Sequence, residues 1–103
     1  MQVAIQNKSM LLSALVENKQ KIRSFGVLRL GIFGSFITGK LNSDSDVDFL
    51  VEFEPQQKSY DNFMDLSFYL EDLLGRKIEL VTPQGLSKHI GPHILKQAEY
   101  VAI

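Results

Sequence analysis

Residues 46–53, Asp-Val-Asp-Phe-Leu-Val-Glu-Phe, restrict the fold more than any other stretch of the chain. In an extended strand, successive side chains point to opposite faces. Val47, Phe49, Val51 and Phe53 then make one wholly apolar face, which has to bury against a core and so fixes the strand's register. Asp46 and Asp48 stand on the other face with Leu50 and Glu52. Carboxylates two residues apart on a strand are separated by roughly 6.5–7 Å. One divalent cation, or a pair of cations roughly 3.5–4 Å apart, can bridge them. Without a cation they repel each other.

The flanking segments supply the layers that this strand needs. Leu12, Leu15, Val16 and Ile22 recur at helical spacing, which predicts a helix over residues 9–24 ended by Gly26. Val27, Leu28, Leu30, Ile32 and Phe33 predict a buried strand, with Gly34 ending it. One helical turn is expected over 35–40 and a polar loop over 41–45. A second amphipathic helix is predicted over 60–74, with Phe63, Leu66, Leu70, Leu73 and Leu74 as its stripe and Gly75 as its cap. A third strand follows over 77–81. Residues 85–100 read as a helical segment interrupted at Gly91-Pro92, because proline cannot donate to the helix ladder. The link between the first two strands is too short for a crossover helix, so that pair is expected to be antiparallel. The predicted class is α/β: a small mixed sheet of at least three strands flanked by helices, as one domain over residues 1–103.

Composition narrows the function. With no cysteine, thiolate metal sites, disulfides and thiol nucleophiles are ruled out, and a cytoplasmic setting is expected. No stretch approaches the roughly 20 apolar residues that cross a bilayer, so no membrane partner is expected. The net charge of -1 lacks the basic stripe of a nucleic-acid binder. Lys19, Lys21 and Arg23 read as a solvated helix face.

Three further residues complete a candidate site. Gly34 leaves a buried strand and lets backbone approach a ligand closely. Ser35 then opens a turn whose N–H groups and hydroxyl can face an anion, and Gly39 is placed to close the same loop. The alternative is a tight turn with no ligand, as the alternative for Asp46 and Asp48 is a solvated pair of acids. The turn lacks the Gly-Lys-Ser/Thr ending of a Walker A loop. An EF-hand beginning at Asp44 is excluded by Phe49 and Pro55 at the glycine and glutamate positions. Oxygen-only ligands favour Mg²⁺ or Mn²⁺ over zinc. His89 and His93 have helical metal-ligand spacing, but Gly91-Pro92 lies between them. Tyr60 and Phe63 are placed to line a nucleotide pocket or to pack in the core.

Taken together, a Gly34-Ser35 turn followed within a short loop by Asp46-Val47-Asp48 resembles the active-site signature of the DNA polymerase β-like nucleotidyltransferases. Within them the chain is similar to the minimal nucleotidyltransferases, antitoxin partners of HEPN-domain toxins. The resemblance runs from Leu28 to Val101 and includes Gly75-Arg76-Lys77-Ile78-Glu79-Leu80-Val81-Thr82-Pro83 and Ile94-Leu95-Lys96-Gln97-Ala98-Glu99-Tyr100-Val101. It implies a polymerase β palm-like fold, triphosphate contacts at Gly34 and Ser35, and two Mg²⁺ ions on Asp46 and Asp48. The third carboxylate of the family falls on Glu79, which alternates against Ile78 and Leu80 and can share the face of the two aspartates. Its alternative is an edge acid paired with Arg76 or Lys77.

There are two departures. Glu79 is longer than the usual aspartate by a methylene, and a misplacement of about an ångström costs roughly 10²-fold in rate. Ile37 and Thr38 replace the Ala-Arg of the family's turn, with Lys40 as a substitute cation. The resemblance implies a protein adenylyltransferase that carries AMP from ATP to a tyrosine hydroxyl of a cognate HEPN toxin. The alternative is a catalytically silent binding module that neutralises the toxin by complex formation. A transferase acting on a small alcohol is a third reading, disfavoured because such relatives carry an added acceptor domain. Ile90, Ile94 and Ile103 offer an apolar surface equally suited to the toxin or to a homodimer.

Overall fold

The apolar face of residues 46–53 is where the core forms. In the computed structural model, which describes residues 4–42 and 44–103, Val47, Phe49 and Val51 are fully buried and Phe53 nearly so. Ser43 of the expected polar loop lies outside the described residues. The first predicted helix is two helices, α1 (Lys8–Glu17) and α2 (Lys19–Ser24). They part at Asn18, whose side-chain amide donates to the Ala14 carbonyl at 2.8 Å. Side chains that bond backbone in this way compete with helix continuation.

Strand β1 (Val27–Phe33) and strand β2 (Val47–Phe53) are antiparallel, as their short connection requires. A register irregularity between Val27 and Arg29 turns Leu28 outward, so the expected burial of Leu28 is not met. The connection carries a single turn, α3 (Ser35–Thr38). Helix α4 (Tyr60–Leu74) starts where Ser59 accepts the Asn62 N–H and ends at Gly75, whose φ is +66°. It is the crossover that makes β3 (Ile78–Val81) parallel to β2.

Residues 85–100 differ from expectation. Gly91-Pro92 begins a helix, α5 (Gly91–Gln97), because proline in a first turn forfeits no helix hydrogen bond. A fourth strand, β4 (Glu99–Tyr100), pairs antiparallel with β1 at Gly31 and Ile32. The sheet order is β3-β2-β1-β4, a mixed sheet. One apolar cluster joins Leu11, Leu15 and Ile22 of the first two helices and Leu66, Leu70 and Leu74 of α4 to the inner face of the sheet. The opposite face carries Asp48, a fully buried Leu50, and Glu52 paired with Arg29 at 2.8 Å. Among the described residues no helix is long and apolar enough to cross a membrane.

Candidate active site

Strand register assembles the site. Phe33, the last residue of β1, faces Asp48 on β2, and Asp48 faces Glu79 on β3. Gly34 therefore emerges from β1 beside the Asp48 carboxylate. Its φ of +77° and ψ of -149° lie in a region that is essentially glycine-only. A Cβ on Gly34 would stand 2.0 Å from Asp48 Oδ2 and 3.0 Å from its Cγ. The close approach inferred for Gly34 is thus made, in the first instance, by Asp48. Asp46 lies one residue before the observed start of β2 and is exposed.

These three acids feel one another. The Asp48 carboxyl is pushed up to about 6 from 3.8, chiefly by burial, then by the charges of Glu79 and Asp46 and by a hydrogen bond with Glu79. Among the described residues no three His, Cys, Asp or Glu side chains converge into a finished metal centre. Acids whose charges act on Asp48 in this way are costly to gather without a cation among them. The donor set suits such an ion. It offers only carboxylate oxygens, which match Mg²⁺ or Mn²⁺, and the repulsion at Asp48 is of the kind a divalent cation reverses.

The turn after β1 is closed by backbone bonds. The Gly34 carbonyl accepts from Ile37 at 2.9 Å and Thr38 at 3.0 Å, and Gly39, the exposed cap of α3 at φ +82°, donates its N–H to the Ser35 carbonyl at 3.0 Å. A Cβ at Gly39 would meet nothing within 4 Å, so its backbone conformation alone calls for glycine. The Gly34 N–H is already engaged: it donates to Gln97 Oε1 of α5 at 2.8 Å. Nothing in the sequence marks Gln97 for that contact.

Other candidates separate from this cluster. Tyr60 and Phe63 line an apolar cavity of about 390 Å³ with Phe53, at the end of β2 remote from Asp46. His89, His93 and Lys40 are exposed. Arg76, offered as a partner for Glu79, donates to the main-chain carbonyls of Asn42 and Ser45 in the loop before β2. An open cavity of about 840 Å³ beside that loop is lined by Asp44, Asp46, Arg76 and Lys77, but by neither Asp48, Glu79 nor Gly34. This cavity borders the carboxylate row only through Asp46.

Residues 11–101 match the family model described as Nucleotidyltransferase domain. The chain belongs to the nucleotidyltransferase domain family. Its relatives include protein adenylyltransferase MntA of Thermococcus cleftensis, 41% identical over 90 residues, which span 86% of this chain and 90% of that protein. A minimal nucleotidyltransferase structure, 28% identical, superposes with a TM-score of 0.78 over 90% of this chain and 94% of its own. A toxin–antitoxin crystal structure containing AMP-PNP has the same fold, with a TM-score of 0.63 at 19% identity, covering 91% of this chain and 71% of that one. The expected fold and enzyme class, a nucleotidyltransferase on a mixed sheet flanked by helices, are therefore those of this chain.

Proposed function

We propose that this nucleotidyltransferase moves AMP from ATP onto a tyrosine hydroxyl of a cognate HEPN-domain toxin and so neutralises it. The observation that carries the reading is the row made where Gly34 leaves β1 beside Asp48 of β2 and Glu79 of β3, with Asp46 acting electrostatically on its centre. The adenylyltransferase name of a relative matched over 90% of its length supports the reaction type. Toxin–antitoxin complexes among the structural neighbours support the kind of partner.

Asp46, Asp48 and Glu79 are the residues that would hold Mg²⁺, two ions in the fullest form, and the metal would neutralise charge on the triphosphate. Gly34 and Ser35, with Gly39 closing their loop, face the phosphates. Glu79 takes the proton of the incoming hydroxyl. The hydroxyl oxygen bonds to the α-phosphorus, the bond from that phosphorus to the bridging oxygen breaks, and pyrophosphate leaves. A phosphate that uses the Gly34 N–H must first displace Gln97 Oε1. That occupied donor favours the second reading, a silent module that neutralises the toxin by binding alone.

Intact-mass measurement of the toxin after incubation with this protein, Mg²⁺ and ATP separates the two. Addition of AMP to a tyrosine, abolished by Asp46→Asn/Asp48→Asn, is the expected outcome. An unmodified toxin held in a stable complex by both proteins establishes the binding module instead.

A further inference from the structure

Arg76 follows the Gly75 cap of α4 and precedes β3, where its guanidinium reaches three separate segments. Nη1 donates to the Ser45 carbonyl at 2.7 Å and to the Asn42 carbonyl at 3.3 Å. Nε donates to the Ile5 carbonyl. The guanidinium carbon also lies 5.4 Å from the centre of the Phe36 ring, within cation–π range. Phe36 is buried and sits directly after Ser35 in α3.

The Ser45 carbonyl belongs to the peptide that joins Ser45 to Asp46. Fixing that peptide fixes where the Asp46 side chain leaves the backbone. Asn42, Asp44 and Ser45 are already bound to one another: Asp44 N–H donates to Asn42 Oδ1 at 2.8 Å, Asn42 N–H to Ser45 Oγ at 3.0 Å, and Ser45 N–H to the Asn42 carbonyl at 3.2 Å. Arg76 binds the Asn42 and Ser45 carbonyls and stacks on Phe36 of the helix that carries the Gly34-Ser35 turn. One planar fork, more than thirty residues further along the chain, thus connects the two halves of the site. A lysine, with a single ammonium on a flexible stem, cannot hold the same set.

We propose that Arg76 is a positioning residue that preorganises Asp46 against the Gly34-Ser35 turn for cation binding and transfer. The proposal rests on the reading of Asp46 and Asp48 as cation ligands. Partners that orient a ligand in this way typically change metal affinity by about 10–100-fold when removed.

The test measures Mn²⁺ binding without nucleotide, by electron paramagnetic resonance, on wild type, Arg76→Ala, Arg76→Lys and Asp48→Asn, with circular dichroism to establish that each is folded. Both Arg76 variants are expected to bind Mn²⁺ about tenfold or more weakly while keeping the wild-type spectrum. Raising Mg²⁺ should restore part of their transfer activity. Folded Arg76 variants with wild-type Mn²⁺ affinity overturn the proposal, as does full restoration by lysine, which would leave charge alone as the cause. If Arg76→Ala does not fold, Arg76→Lys decides by the same criterion. A wild-type protein that binds no Mn²⁺ and transfers no AMP removes the cation-ligand reading itself, an outcome distinct from failure of the Arg76 variants alone.

Discussion

Gly34 and Asp48 form the tightest coupling in the site. A Cβ at Gly34 meets the Asp48 carboxylate at 2.0 Å and has to adopt a glycine-only backbone conformation. Gly34→Ala should therefore destabilise by about 2–4 kcal/mol, combining backbone strain of about 1–3 kcal/mol with the clash. In an Asp48→Ala background the carboxylate is gone and only the residue-48 Cβ remains, at 3.3 Å, so the cost should fall by about 1 kcal/mol or more in urea unfolding. Equal costs in the two backgrounds would show that the contact does not matter. Asp48 also makes stability depend on pH. Its carboxyl is raised to about 6 in the fold from 3.8, so the folded state binds the proton more tightly than the unfolded chain. The contribution is complete below about pH 4 and is lost as pH rises through about 6. Without divalent cation, and allowing for solvent screening of this half-exposed group, wild type should lose about 1 kcal/mol relative to Asp48→Asn between pH 4 and 7, and Mg²⁺ should recover part of it. A pH-independent difference between the two proteins contradicts this. At this scale the sequence displayed Asp46, Asp48 and Glu79 through strand alternation. Arg76 and Gln97 stayed hidden because their contacts join segments whose proximity only the tertiary fold creates.

Secondary structure was most legible where apolar spacing and caps agree. Helix α4 occupies the predicted residues because Ser59, the Leu66, Leu70 and Leu74 stripe and Gly75 mark its start, buried face and end. Ser59→Ala removes the acceptor of the Asn62 N–H and should cost about 1 kcal/mol of stability while leaving AMP transfer unchanged at a temperature where the protein is folded. Loss of transfer by folded protein would tie the cap to the site instead. The misread elements have local causes. Asn18 divides the first helix by bonding the Ala14 carbonyl, and Pro92 lies where a helix can begin. With two residues, β4 is too short to show alternation.

At the scale of the whole molecule, the inner face of the sheet was legible as one apolar plane, and that plane carries the core. The surfaces were less so. Of the three isoleucines expected to be exposed, Ile90 is, whereas Ile94 is half-buried and Ile103 packs against the core. The site lies on the opposite face, where β2 and β3 present their acids together and the chain's own C-terminal helix touches the phosphate-type turn. Such an arrangement predicts which part of ATP moves. The most direct measurement supplies the HEPN toxin, Mg²⁺ and ATP labelled at either the α- or the γ-phosphate. Label on the toxin from α-labelled ATP only, with release of pyrophosphate and loss of both in Asp46→Asn/Asp48→Asn, is the predicted result. Label from γ-labelled ATP, or α-label that persists in the double variant, contradicts nucleotidyl transfer at this carboxylate row.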